Sequence, residues 1–283
     1  MSSEFSVVAN FYIDTEERFL RLKDSYHSFC KSNILSWHIN IRGNLKYEVQ
    51  NFLQNEIESN KLKTYFLETN NGWIKDTEKI TENLKSEIIF FWIEDHLCIK
   101  ESNIINEIVS EIHQNKIDHL MYSFYHKGDL LKQLKLIPHN KKNFISYADL
   151  SFENYEKIKL WHLSNNIIPD YLISLCSFMS LEFLKRNLQV SKHNKKYNKM
   201  LPFNFEKSFK EKEIIPFKAG FLNKELFVSI DDDHGEKGYS LISRGLYQNR
   251  KTKAEMDMIR NKKIKIYKES IIRKIIKKLN IFK

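Results

Sequence analysis

The chain has 283 residues and a formal net charge of +10, and at 42% hydrophobic and 13% aromatic it can bury a sizeable core, which excludes global disorder. Residues 251–283 hold twelve bases against three acids (Glu255, Asp257 and Glu269), which is +9 of that total, so the remainder is close to neutral. A body that wraps nucleic acid is basic throughout; this charge describes a neutral globule with a basic appendage, and no nucleic-acid partner is expected.

The first 130 residues alternate short apolar runs with longer amphipathic ones. FSVVANF (5–11) reads as a buried strand, and Thr15 is placed to cap a helix running through Arg18, Leu22, Tyr26 and Phe29. SWHINIR (36–42) is a second strand ended by Gly43, followed by a helical stretch from Tyr47 to Ile57. KTYFLE (63–68) is a third strand and TNNG (69–72) a turn; a helix over 74–85 leads into EIIFFWI (87–93), the most apolar strand of the chain. A helix over 101–116 and the strand DHLMYSFYH (118–126) complete a series that implies a mostly parallel sheet with right-handed crossovers.

Beyond residue 130 the rhythm changes. Residues 144–163 read as short strands in a hairpin or meander, and a helix is expected over 170–188 on the spacing of Tyr171, Leu172, Leu175, Phe178, Met179 and Phe183. SKHNKKYNKM (191–200) is polar and basic and reads as a mobile loop; ELFVSI (225–230) is a strand that runs directly into DDDHGEKGY. Cys30, Cys98 and Cys176 are far apart and form no CxxC, so neither a zinc knuckle nor a disulfide framework is suggested. The first residues have no secretory pattern and no stretch approaches the ~20 apolar residues of a membrane span, so a soluble, reducing compartment is the expectation.

Two segments carry potential chemistry. In IIFFWIEDHLCI (88–99) an apolar strand ends abruptly in Glu94, Asp95 and His96. Either the strand ends at the surface with solvated charges, or the adjacent carboxylates offer hard oxygen ligands to Mg²⁺ or Mn²⁺, with His96 as a nitrogen ligand better suited to Mn²⁺. In SIDDDHGEKGYSLISRG (229–245) three consecutive aspartates repel one another, which a cation or nearby bases would relieve. Gly235 and Gly238 there suit backbone N–H contact with a phosphate, and Lys237 and Arg244 suit its neutralisation; the alternative is an acidic turn with Asp as a helix cap. No GxxxxGK[ST], GxGxxG, GxSxG or HExxH occurs.

A first strand near residue 5, three βα units and an apolar strand ending in an acidic triplet near residue 95 together resemble a bacterial GT-A glycosyltransferase of the surface-glycan type, over roughly residues 5–235. The resemblance implies an α/β, GT-A-like fold over residues 1–250, with a nucleotide-sugar half (about 1–130) and an acceptor half (131–250). It implies that the triplet binds a metal-diphosphate, although Glu94-Asp95-His96 departs from the usual Asp-x-Asp, and that a late His, matched by His234, completes a Mn²⁺ or Mg²⁺ site with Asp95 and His96. Asn10, Tyr12 and Arg42 fall where a nucleobase and ribose would lie, and Trp73 and Lys75 flank the same place. In LPFNFEK (201–207), Glu206 matches the acceptor-side base of inverting members, though Lys207 stands where a partner acid is usual. His126, Asp129 and Asp170 are other acid/base options.

The expected activity is therefore transfer of a sugar from a nucleotide-sugar donor to a hydroxyl of a surface-glycan (lipopolysaccharide or capsule) or lipid-linked saccharide acceptor. Within the tail of residues 251–283, residues 259–282 carry Ile264, Tyr267, Ile271, Ile275, Leu279 and Phe282 at helical spacing among Lys and Arg. That pattern suits either a helix lying in an anionic membrane interface, on the inner face of the cell membrane, or one docked on the domain. Two other classes compete: a nucleic-acid-associated protein with a basic arm, and a metal-dependent phosphohydrolase using Asp231–Asp233.

Overall fold

The computed structural model describes residues 3–67, 72–121, 137–164, 175–193, 216–233 and 238–248. Contacts divide the chain into a unit Met1–Tyr247 and a unit Gln248–Lys283, and the basic tail of the second lies outside the described residues.

The first half is a run of βα units. Strand β1 (Phe5–Tyr12) leads to α1 (Glu16–Phe29), β2 (Ile34–Arg42) to α2 (Lys46–Glu56), β3 (Leu62–Tyr65) to α3 (Trp73–Thr81), and β4 (Ile88–Phe91) is followed by the short β5 (His96–Cys98) and α4 (Ser102–Asn115). The second half adds β6 (His119–Met121), β7 (His139–Lys141), β8 (Ile145–Leu150), α5 (Phe152–Ser164), β9 (Ser177–Ser180), α6 (Leu181–His193), β10 (Phe217–Leu222) and β11 (Phe227–Ser229). Among the described residues, nine strands form one sheet in the order β3-β2-β1-β4-β9-β6-β10-β8-β7, and β11 and β5 form a separate pair. Strands β1 to β4 are parallel, and only β9 and β8 run against the other seven. The expected α/β architecture with a largely parallel sheet is met.

Both faces of the sheet are covered, which is why its strands read as nearly continuous apolar runs. Val7, Ala9 and Phe11 of β1 point into one core with Leu22 and Phe29 of α1, Leu53 of α2 and Ile108 of α4. Val8 between them points into the other, with Trp73 and Ile80 of α3 and Phe183 and Leu188 of α6. The period-2 alternation of a strand therefore feeds two layers of helices at once. An aromatic cluster locks the site-bearing elements to this frame. Phe227 of β11 stacks on Phe90 of β4 at 4.6 Å, and Phe29 of α1 meets Phe90 edge-on at 5.2 Å and Trp92 at 5.4 Å. Each fully buried ring of this kind contributes roughly 2–3 kcal/mol of transfer free energy.

Two sequence expectations are corrected in the second half. Residues 144–163 do contain a hairpin strand, β8 paired with β7, but from Phe152 the chain is helical. Ser151 caps that helix by accepting from Asn154 N at 3.2 Å, and Lys157 bonds Glu153 one turn away at 2.7 Å. The helix expected over 170–188 does not include 177–180, which is β9, hydrogen-bonded between β4 and β6. Phe178 and Met179 are buried on opposite faces there, and a short run apolar on both sides has no period that separates strand from helix. The helix starts at Leu181 behind Ser180, whose hydroxyl accepts from Phe183 N at 3.1 Å, and reaches His193, where a loop was expected from 191. Most of the turn at 69–72, residues 122–126 and residues 194–200 lie outside the described residues.

The turn after β2 depends on Gly43, at φ +97°, where a Cβ would lie 2.2 Å from the Ile13 carbonyl oxygen. Gly43→Ala is expected to combine left-handed strain of about 1–3 kcal/mol with a backbone clash, lowering Tm by roughly 10 °C. Gly245→Ala, at φ +68° with no atom within 4 Å of the new Cβ, carries only the strain and should cost a few degrees. Equal losses in a thermal melt would show that the Ile13 contact does not matter.

Candidate active site

Strands β1 and β4 are parallel neighbours, so the loop after each opens on the same edge of the sheet, where open α/β sheets bind ligands. After β4 the chain keeps one further ladder bond, Trp92 N to Val8 O at 2.8 Å, and then delivers Glu94, Asp95 and His96 beyond the carboxyl ends of the central strands. Strand β5 then pairs antiparallel with β11, Ser229 opposite His96, and Ile230 N donates to Asp95 O at 2.8 Å. The two acidic segments singled out in the sequence, 94–96 and 231–233, are thereby brought side by side.

Helix α1 supplies the opposite charge. Thr15 caps it, accepting from Arg18 N at 3.3 Å. Two serines on α1 fix it to the site-bearing strand: Ser25 Oγ accepts from Trp92 Nε1 at 2.8 Å and donates to His96 O at 2.5 Å, and Ser28 Oγ accepts from Cys98 N at 2.9 Å. So held, the helix points Arg18 and Arg21, three residues apart on one face, at the acids. Arg18 Nε donates to Glu94 Oε1 at 3.0 Å, with Nη2 also bonded to that oxygen. Arg21 Nη1 donates to Asp231 Oδ2 and Nη2 to Glu17 Oε1, both at 2.7 Å. Asp95 Oδ1 lies 2.6 Å from His96 Nδ1.

Glu94 is only 5% exposed. Burial, reinforced by Asp95, pushes its carboxyl above the usual value even though Arg18 opposes this. Asp95 goes the other way: burial works against its charge, but His96, Arg18 and Arg21 together hold its carboxyl below the ordinary value. Neighbouring carboxylates in one site thus have their proton affinities pushed apart, a common arrangement at functional sites.

The aspartate triplet divides its labour. Asp231 faces Arg21, whereas Asp233 closes the following turn: its Oδ1 accepts from Tyr239 N at 3.1 Å and Ser240 N at 2.6 Å, and its Oδ2 from Ser243 Oγ at 2.5 Å. Those bonds hold its carboxyl down at about 2. Arg244 forks onto Glu225 at 2.8 and 2.9 Å and so sits in a structural ion pair.

On the other side of β1, Asn10 Oδ1 accepts from Asn40 Nδ2 at 2.9 Å and Asn10 Nδ2 donates to Thr77 at 3.2 Å, tying β1, β2 and α3 together. Tyr12, half exposed at 50%, and Arg42 are register partners at the ends of β1 and β2. Burial lowers the affinity of Arg42 for its proton and raises that of Asp76, while each favours the other's charge. Asp76 is 3% exposed, and Asp76 Oδ2 and Arg42 Nε are both buried without a hydrogen-bond partner among the described residues. Trp73 is in the core at 2% exposure, its ring 5.6 Å from Phe91, and Lys75 on the same helix is exposed.

The structure therefore gathers Glu94, Asp95, His96 and Asp231 in one cluster, with Asn10, Tyr12 and Arg42 along the neighbouring strand ends. Arg244 and Trp73 are engaged elsewhere. Glu206, His234, Lys237 and Gly235, and the further options His126, Asp129 and Asp170, lie outside the described residues. Sequence reasoning overlooked Arg18, Arg21 and Asp76. The signal for the arginines was the capped helix after the first strand, whose first turns must point toward the same sheet edge as the acids. Among the described residues no three acidic, His or Cys side chains are grouped to hold a metal ion. Asp95 and His96 bond each other and the arginines bond Glu94 and Asp231, while His234, the third expected metal ligand, lies outside the described residues.

No protein-family model and no curated protein sequence matches the chain. In structure it is similar to S. aureus TarS 1–349, at 12% identity and a TM-score of 0.42, over 79% of this chain and 59% of that one. The form of that protein in complex with UDP gives 14%, 0.45, 79% and 59%, and the form in complex with UDP-GlcNAc 15%, 0.46, 79% and 57%. The chain thus spans less than two thirds of the length of these structures.

Two measurements check the electrostatics. An NMR titration should give the Asp233 carboxyl an apparent pKa of about 2, so its share in holding the turn is present above the ordinary value of 3.8 and is lost as pH falls toward 2. A midpoint near 4 would contradict the bonds described. Arg18→Met leaves Glu94 buried without its cation and should destabilise the fold by about 1–3 kcal/mol at pH 8. Because a carboxyl with a raised value binds its proton more tightly in the folded state, that cost should shrink at pH 5; the same deficit at both pH values would contradict it.

Proposed function

We propose that this chain transfers a sugar from a nucleotide-sugar donor to a hydroxyl of a surface-glycan or lipid-linked saccharide acceptor, with inversion at the anomeric carbon. The observation that carries the reading is the cluster of Arg18, Arg21, Glu94, Asp95, His96 and Asp231 at the carboxyl ends of the central parallel strands. A guanidinium that bonds a carboxylate fits a phosphate with the same fork. The diphosphate of the donor exchanges with carboxylates for Arg18 and Arg21, and the nucleoside extends along the ends of β1 and β2 past Tyr12. There Arg42 Nε and Asp76 Oδ2, a donor and an acceptor lacking partners, suit the polar edge of a base.

Glu206 takes the proton of the acceptor hydroxyl as its oxygen attacks the anomeric carbon. The bond from that carbon to the phosphate oxygen breaks, and the electron pair leaves with the nucleoside diphosphate. Arg18, Arg21 and Lys237 offset the charge that develops there; Arg244, held by Glu225, is given no part. No step is routed through a metal ion. No described helix is long and apolar enough to cross a membrane, and the twelve bases of residues 251–283 support attachment to an anionic membrane surface, where each base near the surface is worth about 1 kcal/mol. The acceptor would be met on that surface.

Thermal shift against uridine, guanosine and cytidine nucleotide-sugars, UDP-GlcNAc among them, should reveal stabilisation by one nucleotide class. If none shifts the melt, with and without Mn²⁺, the transferase reading fails. Glu206→Gln should abolish transfer while donor binding persists, and normal turnover by that variant would remove Glu206 from the role of base.

A further inference from the structure

A groove of about 690 Å³ lies at the opposite edge of the sheet from the acid–arginine cluster, between the start of β4, the end of α4, the start of β6 and the first turns of α6. Lys85 in the segment before β4, Lys116 at the end of α4 and Lys185 on α6 line it, all exposed, and none of them has an ion-pair partner among the described residues. Lys116 stands at the left-handed C-cap of α4, at φ 51°. Arg186 is in the same wall. Its Nη2 lies 3.8 Å from Asp118 Oδ1 and its Nε 3.8 Å from Glu182 Oε1, too far for hydrogen bonds, and that Nε is buried without an acceptor among the described residues. His113 is similar: its Nδ1 is 3.6 Å from Glu87 Oε2 and its Nε2 is buried without a partner among the described residues.

Three acids share the groove, and they do not fill this demand. Asp118 is already an acceptor for Lys218 N at 2.9 Å and Ser180 Oγ at 3.3 Å, holding β6 to β10 and β9. The Glu87 and Glu182 side chains are 85% and 82% exposed and stand at the rim. The groove therefore presents three exposed lysines and, in its wall, an Arg186 Nε–H that is buried with no acceptor among the described residues. A buried N–H left unmade is costly, and a guanidinium is matched by a phosphate's oxygens in two bonds at once.

We propose that this groove is a second, non-catalytic site for a phosphate ester, held by Arg186 and ringed by Lys85, Lys116 and Lys185. It is independent of the transferase reading, because it shares no residue with the cluster at the other edge. The same chemistry serves a soluble phosphate ester or a phospholipid headgroup.

The test uses the full chain, the double charge reversal Lys116→Glu/Lys185→Glu, and Arg186→Gln as a second variant should the first fail to fold. Calorimetric titration with glycerol 3-phosphate and inorganic phosphate is one arm. Co-sedimentation with vesicles of phosphatidylglycerol and phosphatidylcholine, against phosphatidylcholine alone, is the other; since residues 251–283 can add their own attraction, it is read as the difference between the variants and the unaltered chain. Phosphate-ester binding weakened roughly tenfold or more by the substitutions supports the site with a soluble ligand. Loss confined to the anionic vesicles supports it with a headgroup. Binding that is the same in all three proteins, or absent from the unaltered chain in both arms, overturns it.

Discussion

A carboxylate at the end of a fully buried strand cannot stay charged alone, and the arrangement of this protein follows from how Glu94 is compensated. The apolar run of β4 brings Glu94 to 5% exposure, and Arg18 of α1 bonds it through two nitrogens. For that pair to form, the first helix must lie across the end of the fourth strand. Ser25 and Ser28 hold it there through Trp92, His96 and Cys98. The same placement gives Arg21 to Asp231, so the late β11 segment is recruited by a residue from the first helix.

Packing and charge point to one geometry. The stack of Phe227 on Phe90 places β11, and β11 pairing with β5 sets Asp231 beside Asp95 and His96. Removing any one of these elements leaves a charge without its partner, which in a low-dielectric site is more costly than the loss of a contact. The cluster is thus both a fastening of the fold and the strongest candidate for the site of chemistry, at the carboxyl ends of strands where open α/β sheets bind ligands.

The first half of the fold was legible because each element carries its own signal: β1 a buried run, α1 a Thr15 cap, β2 an end at Gly43. The second half was less so. Strand β9 was read as helix because Phe178 and Met179 are apolar on both faces, and its partners β4 and β6 are supplied only by the tertiary fold. The acids of the site were visible as an abrupt break in hydrophobicity at Glu94 and a run at Asp231–Asp233. Their relief was not visible: repulsion among acids is answered by a cation or by bases, and composition does not distinguish the two. The bases sit some 75 residues before Glu94 in α1, a separation that no local pattern bridges. Asp233, read with its two neighbours as an acidic run that a cation or bases would relieve, instead accepts from the backbone of the following turn, close to the capped acidic turn that was its alternative.

The central claim is that Arg18 and Arg21 receive the diphosphate of a nucleotide donor. Calorimetric titration of the unaltered chain and of Arg18→Met with uridine, guanosine and cytidine diphosphates, and with the parent nucleosides, tests it directly. The account predicts that one diphosphate binds and that Arg18→Met weakens it by about tenfold or more, while any affinity for the nucleoside is unchanged. Equal affinity of both proteins for the diphosphate, or no binding of any diphosphate to the unaltered chain, would contradict it.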